Sequence, residues 1–368
     1  MNRSFVKIRR CFSGLALFIF TGLCFADQEK ALDFAALEKV ALAELAQSNT
    51  PGAALAIIRG DRVVWAKGFG VANVETGAVV SSDMLFRLGS TTKMFTAAAL
   101  VKLAEEGKVK LDEPIGKYVP GLYPKLERLT CHQLLCHTAG LKTGAPWNGL
   151  HDDTALEQTI RAMKDEYIAK EPGKGYAYSN PGYWLAGLVV EKVSGKPYAD
   201  AMAELLFQPL GMTKTTFRPT LAMTYPISMG HQGTGMEKPH VVRPFADNAA
   251  TWPAGSMFSN VHDLARFVRA FLNDGRLEGK QVISKSLIVT LSTPHVAVPD
   301  NKGHYGYGLH LGKFAGEELV EHGGNRLGFG SHIWMIPKHK TAVIIVANKT
   351  GSFLPKTGKM ALELFIRQ

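Results

Sequence analysis

Cysteine is scarce in this chain of 368 residues: there are four, and Cys11 and Cys24 fall within the first 26 positions. Cys131 and Cys136, which remain, cannot build the disulfide framework of a small secreted scaffold. Charge is also low. Asp, Glu, Lys and Arg make up 20% of the chain against 46% apolar residues, which excludes an intrinsically disordered protein and a long coiled coil. No apolar run of roughly 18 residues follows residue 26, so a multi-span membrane protein is excluded. No cluster of Lys and Arg interleaves with aromatics, which removes nucleic acid as a partner. The chain has no Gly-x-Ser-x-Gly elbow, no His-Glu-x-x-His pair and no glycine-rich phosphate loop, so three common hydrolase chemistries have no carrier here.

What is present begins with an address. Arg3, Lys7, Arg9 and Arg10 precede an apolar stretch from Cys11 to Phe25, and Ala26-Asp27 follows. That order is a signal peptide, residues 1–26, with cleavage after Ala26 and a periplasmic or secreted destination. Retention as an uncleaved anchor is the alternative. Thr21, Gly22 and Leu23 do not supply the small residue that a lipoprotein signal places just before its cysteine. Loss of four basic side chains takes the formal charge from +10 to +6, ordinary for an exported basic protein.

Apolar spacing predicts a helix over 27–47, strands over 53–58 and 62–68 joined at Arg59-Gly60-Asp61, and mostly helical structure from Ser90 to Gly211. Strand patterns return at 305–311, 319–322, 328–336 and 341–347, and a last helix fits 354–366. The expected fold class is α+β, an α/β sandwich. An antiparallel sheet is flanked by N- and C-terminal helices (27–85 and 250–368), with a mostly helical part inserted (86–249). A long chain of this composition holds enough apolar surface for that core. Cys131, His132, Cys136 and His137 have a metal-like spacing. Read as a helix, they point at about 0°, 100°, 140° and 240° around the axis and do not converge, so they are taken as buried thiols beside a helix-end histidine.

Three elements carry chemistry. In Gly89-Ser90-Thr91-Thr92-Lys93, an almost wholly apolar run follows Ser90, so the helix is predicted to be central, with Gly107 at its end. Ser90 falls in the first turn, where free N–H groups favour an oxyanion, and Lys93 lies one turn on. A buried amine loses its charge and can accept the serine proton. The plain alternative is an N-cap serine and a solvated lysine. In Tyr178-Ser179-Asn180-Pro181, Asn180 reads as an N-cap with Pro181 in the first turn. The third element is His322-Gly323-Gly324-Asn325-Arg326, on a strand and turn near the C-terminus.

Taken in order, these motifs resemble the serine β-lactamase and penicillin-binding protein superfamily, in the branch of class C β-lactamases, DD-carboxypeptidases, D-aminopeptidases and related esterases. FRLGSTTK, LTCHQLLCHTAGL, YAYSNPGYWLAG and WPAGSMFSNVHDLARF carry the similarity over nearly the whole chain after residue 26. The resemblance implies a β-lactamase/transpeptidase-like fold and no cofactor. It implies an acyl-Ser90 intermediate, with Lys93 as base and Tyr178 as a proton shuttle whose phenol pKa is lowered by cations. Asn180 would bind a substrate amide, and the N–H groups of Ser90 and Asn325 would form an oxyanion hole, each donor contributing roughly 3 kcal/mol. His322, Gly324, Asn325 and Arg326 would complete the substrate site. The usual third motif is Lys-Thr-Gly. Literal copies at 142–144 and 356–358 are out of place, and His322-Gly323-Gly324 takes the position. A neutral His322 removes the positive charge that would hold a carboxylate, unless Arg326 points inward, and turnover is expected to follow His322 with pH. The expected substrate is a small molecule or peptide, including a D-Ala-type cell-wall peptide, or an ester. A β-lactamase and a non-catalytic penicillin sensor are the alternatives.

Overall fold

The computed structural model describes residues 34–144, 146–233 and 237–366, together with Met1. Apart from Met1, the expected signal segment and its cleavage point lie outside the described residues, as does the predicted start of the first helix. Within the described residues no helix is long and apolar enough to cross a membrane.

An eight-stranded antiparallel sheet organises the fold. Numbered in chain order, its strands are β1 (Gly52–Arg59), β2 (Arg62–Gly70), β3 (Val296–Ala297), β4 (His304–Tyr305), β5 (His310–Phe314), β6 (Glu317–Arg326), β7 (Phe329–Ile336) and β8 (Thr341–Ala347). Their spatial order is β2-β1-β8-β7-β6-β5-β4-β3. β1 and β8 are buried at successive positions rather than alternate ones, which requires cover on both faces of the sheet. The helices used below are α1 (Ala35–Ser48), α2 (Thr92–Glu105), α3 (Cys131–Leu135), α4 (Asn180–Ser194), α5 (Trp252–Gly255), α6 (Val261–Leu272) and α7 (Pro355–Ile366). α1 and α7 pack together, and α6 packs on β1 and β8. The expected α+β class, with terminal helices beside an antiparallel sheet, is what the chain adopts. The hairpin at Gly60 is present, with Arg59 opposite Arg62.

Two expectations change. The strand predicted over 305–311 is broken into β4 and β5. Gly308 turns there with φ +69, and a Cβ on it would lie 2.6 Å from the Lys93 carbonyl oxygen. The sheet bends where the chain touches α2 directly. The helix read through 131–137 stops at Leu135, and His137 takes a left-handed φ of 60°, so it leaves the helix altogether. Cys131 and Cys136 are buried free thiols, and burial pushes Cys131 up to about 12. The Lys-Thr-Gly at 356–358, set aside in the sequence as out of place, opens α7 and forms a helix joint. Backbone N–H groups of Lys356 and Thr357 and the Thr357 hydroxyl all donate to the Glu44 carboxylate, at 2.9, 2.8 and 2.7 Å. An acid held at a helix N-terminus is a stabilising arrangement, and here it ties α7 to α1.

One contact fixes the site to the sheet. A Cβ on Gly89 would fall 2.2 Å from the Asn325 backbone nitrogen, so the turn before α2 lies directly on β6. Ser90 and Asn325 are brought side by side by this bare residue. Gly89→Ala is expected to destabilise the fold by about 1–3 kcal/mol, the usual overpacking cost, with activity falling in step. Urea unfolding of the two proteins checks it.

Candidate active site

α2 is buried along nearly its whole length, from Thr92 through Val101 and at Leu103. Ser90 sits in the turn that feeds it, two residues before the first helical position, so the predicted first-turn placement moves slightly upstream. Lys93 is completely buried. Its amine lies 3.1 Å from Ser90 Oγ, 2.8 Å from Asn180 Oδ1 and 2.7 Å from the Ala254 carbonyl oxygen. Burial holds the ammonium well below the usual lysine range. A neutral amine has two protons and one lone pair. Asn180 Oδ1 and the Ala254 carbonyl are pure acceptors and take both protons. The lone pair is then left for the Ser90 hydroxyl.

The Tyr178 hydroxyl donates to Ser90 Oγ at 2.7 Å. The expectation of a phenol acidified by cations is overturned. Burial pushes Tyr178 above its usual value, the bond to Ser90 only partly offsets this, and its neighbour Lys93 is itself held below its charged range. Tyr178 is therefore a neutral O–H donor. Asn180 is also not the cap of α4. Ser179 is, its hydroxyl accepting from the Gly182 N–H at 3.3 Å and donating to the Lys142 carbonyl at 2.9 Å. That shift of one residue frees the Asn180 side chain to face Lys93.

His137 is the residue the motifs did not assign. Its ring is buried against Tyr178, Tyr305 and Tyr183, with centroids 4.3, 4.8 and 5.2 Å away. Its Nδ1 accepts the Ser179 N–H at 3.1 Å. Burial holds it well below the usual histidine value, so it is a neutral wedge that sets the Tyr178 ring and the start of α4. Ala254, in α5, was equally silent, since a backbone acceptor leaves no mark in a side-chain pattern.

The third motif lines the same cleft, a space of about 560 Å³ shared by Ser90, Tyr178, His322, Gly323, Gly324 and Asn325. β5 pairs with β6 only up to Glu321, so residues 322–326 leave one edge of β6 open to it. Gly324 has no room for a side chain: a Cβ would meet Ser331 Oγ at 2.4 Å and Thr91 Oγ1 at 2.6 Å. Two expectations fail here. The His322 ring is buried, with Nε2 bonded to the Tyr305 hydroxyl at 2.9 Å and Nδ1 to the Gly323 carbonyl at 2.6 Å. Burial holds it well below the usual histidine value, so it stays uncharged and does not set a near-neutral pH dependence. Arg326 does not replace the missing charge. It is buried away from the cleft lining, against Thr251 Oγ1 at 3.3 Å and the Ala246 carbonyl at 3.4 Å, with Trp147 over its guanidinium. Lys302 lines the mouth of the cleft instead, 69% exposed and 3.5 Å from Asp300. The other Lys-Thr-Gly, at 142–144, is an exposed stretch after Leu141.

Residues 34–364 match the model of the Beta-lactamase family. The chain belongs to that family. Its α+β fold is that of the serine β-lactamases and penicillin-binding proteins. Protein flp of Staphylococcus aureus (strain N315) is 27% identical over 328 residues, 87% of this chain and 64% of that protein. The chain thus spans less than two thirds of that relative's length. The octameric penicillin-binding protein homologue of Pyrococcus abyssi superposes with a TM-score of 0.80 at 30% identity, covering 92% of this chain and 78% of its own. The D-amino acid amidase of Ochrobactrum anthropi SV3, a complex with L-phenylalanine, gives 0.72 at 25% identity, covering 89% and 95%.

For this family member the cap assignment is checkable. Ser179→Ala removes both the cap and the Lys142 bond and is expected to cost about 1 kcal/mol of stability. Denaturant unfolding measures it. Asn180→Ala leaves the Ser179 cap in place, so it is expected to change stability less than activity.

Proposed function

We propose that this chain is an exported serine hydrolase that cleaves a small amide or ester through an acyl-Ser90 intermediate, with a D-Ala-type peptide among its candidate substrates. The observation that carries the reading is a fully buried Lys93 amine 3.1 Å from Ser90 Oγ, whose two other partners are pure acceptors. Ser90 Oγ bonds to the substrate carbonyl carbon while its proton passes to Lys93. The oxyanion is stabilised by the N–H groups of Ser90 and Asn325, and Asn180 binds the substrate amide. Gly324 and the open edge of β6 receive the substrate backbone. Collapse of the tetrahedral adduct breaks the bond to the leaving group. The Tyr178 hydroxyl gives that group its proton and is reprotonated from the Lys93 ammonium. In deacylation the steps reverse, with water in place of the leaving group. The basic first ten residues and the apolar stretch after them support export.

A β-lactamase is the weaker reading on this site. The buried, uncharged His322 stands where a carboxylate would need a cation, and Arg326 is turned away. Nitrocefin is expected to be a poor substrate beside p-nitrophenyl acetate. Comparable kcat/KM values for the two would overturn that.

Ser90→Ala is expected to abolish hydrolysis and fluorophosphonate labelling. Lys93→Ala and Tyr178→Phe should each lower kcat by about 10²–10⁴. Because burial depresses the lysine pKa, the free base exists above that lowered value and is lost below it. The rate should therefore fall as pH drops through the folded-state value of Lys93. A kcat/KM profile without that acid limb, or labelling that survives Ser90→Ala, would contradict the mechanism.

A further inference from the structure

β6 presents alternate faces. His322, Gly324 and Arg326 share one; Glu321, Gly323 and Asn325 share the other, opposite Trp334, His332 and Gly330 on β7. On this second face a group of side chains lines the cleft without a part in the chemistry above. Glu321 Oε2 is 2.9 Å from His332 Nε2. The His332 ring stacks on Trp334 with a centroid separation of 3.9 Å and an interplanar angle of 5°, and Phe353 closes the group at 5.1 Å from His332. In the neutral ring with Nε2–H given to the carboxylate, Nδ1 presents a lone pair, and this buried atom has no partner among the described residues. Gly323 leaves the space over it open: a Cβ there would come within 3.0 Å of Nδ1. Glu321 Oε1 likewise has no protein partner among the described residues.

Two charged side chains line the cleft, Glu321 and Lys302. Glu321 is the only acid among the described residues that line the cleft. His310 is held below its usual value by burial, and so is His322. Lys302, at the mouth, is exposed to water and paired with Asp300, so its charge is screened. Two unmet acceptors, one a carboxylate, therefore face a space walled by Phe353 and stacked rings. A hydrogen-bond donor with positive charge answers both acceptors, which a carboxylate cannot.

We propose that Glu321 and His332 form a subsite for a substrate ammonium group, so that the enzyme prefers cationic amides or esters. The inference rests on the hydrolase reading above and adds its substrate class. Gly323 and Glu321 are two and four residues along β6 from Asn325, roughly 7–13 Å along the strand and round its open edge from the face that meets α2, so the ammonium lies at least that far from the reacting carbonyl. That is the reach of a second residue's free amine on the acyl side, or of an aminoalkyl leaving group.

The test separates binding from chemistry. In full-length Ser90→Ala protein, affinities are measured calorimetrically for two matched pairs. One is alanyl-alanine methyl ester and its N-acetyl form, in the D and L series. The other is N-phenylacetyl-1,4-diaminobutane and its second-amine acetyl derivative. At least tenfold tighter binding of the ammonium form is expected in one pair, falling below threefold when Glu321→Gln is added. The glutamine keeps an acceptor for His332, so the fold is retained. Gly323→Thr, which fills the space over Nδ1, is expected to lower the same preference. Equal affinities within both pairs, or a preference that survives Glu321→Gln, would overturn the subsite. Failure of the hydrolase reading shows separately: wild-type protein would then turn over neither ammonium probe while the binding preference persisted.

Discussion

The site depends on one amine being kept out of water. Lys93 has no solvated path because α2 is buried from Thr92 through Val101, and desolvation disfavours the charge that would make it useless as a base. Burial alone would leave an inert group. Two fixed acceptors, one from α4 and one from the backbone of α5, absorb its protons and aim the lone pair. On the proposed function, activation of Ser90 is thus a property of how three helices meet. The same burial keeps Tyr178 protonated, so the serine oxygen sits between an acceptor and a donor.

The second constraint is closeness of backbone. Gly89 against Asn325 and Gly324 against Thr91 let α2 and β6 approach closely, and Gly308 lets the turn between β4 and β5 reach Lys93. On the proposed function, this is how a nucleophile beside a helix and an amide on a strand would come to share one carbonyl. The open edge of β6 exists because β5 ends its pairing at Glu321. The cleft is therefore the unpaired part of a sheet as much as a hollow between helices. Uncharged His322 and the acceptors of Glu321 and His332 give that edge a polarity suited to donors.

Much of this was legible in the residues. The central strands β1 and β8, the Gly60 hairpin, the terminal helices and the pairing of Ser90 with Lys93 follow from local patterns, because apolar period and turn chemistry act over a few residues. Asn180 was found but misread, since Asn and Ser both cap helices and only the register of α4 decides between them. The protonation of Tyr178 was misjudged because a neighbouring lysine was counted as a cation before its burial was known. His137 was passed over as a helix-end residue, and its left-handed backbone shows only in three dimensions. Motif order rightly set aside the Lys-Thr-Gly at 356–358, but it carries no direction for a side chain, and so it placed Arg326 in the site.

The sequence by itself determined which groups could react, where the sheet and its central helix would form, and that the third motif lacks its lysine. Those are facts of residue type and short-range periodicity. Tertiary structure decided the charge on each group and the direction in which it points. Desolvation and hydrogen-bond direction are set by residues distant in the chain: the partners that meet at Ser90 come from positions 93, 178, 180 and 254. No local pattern holds that information, because a proton's position depends on everything packed around it.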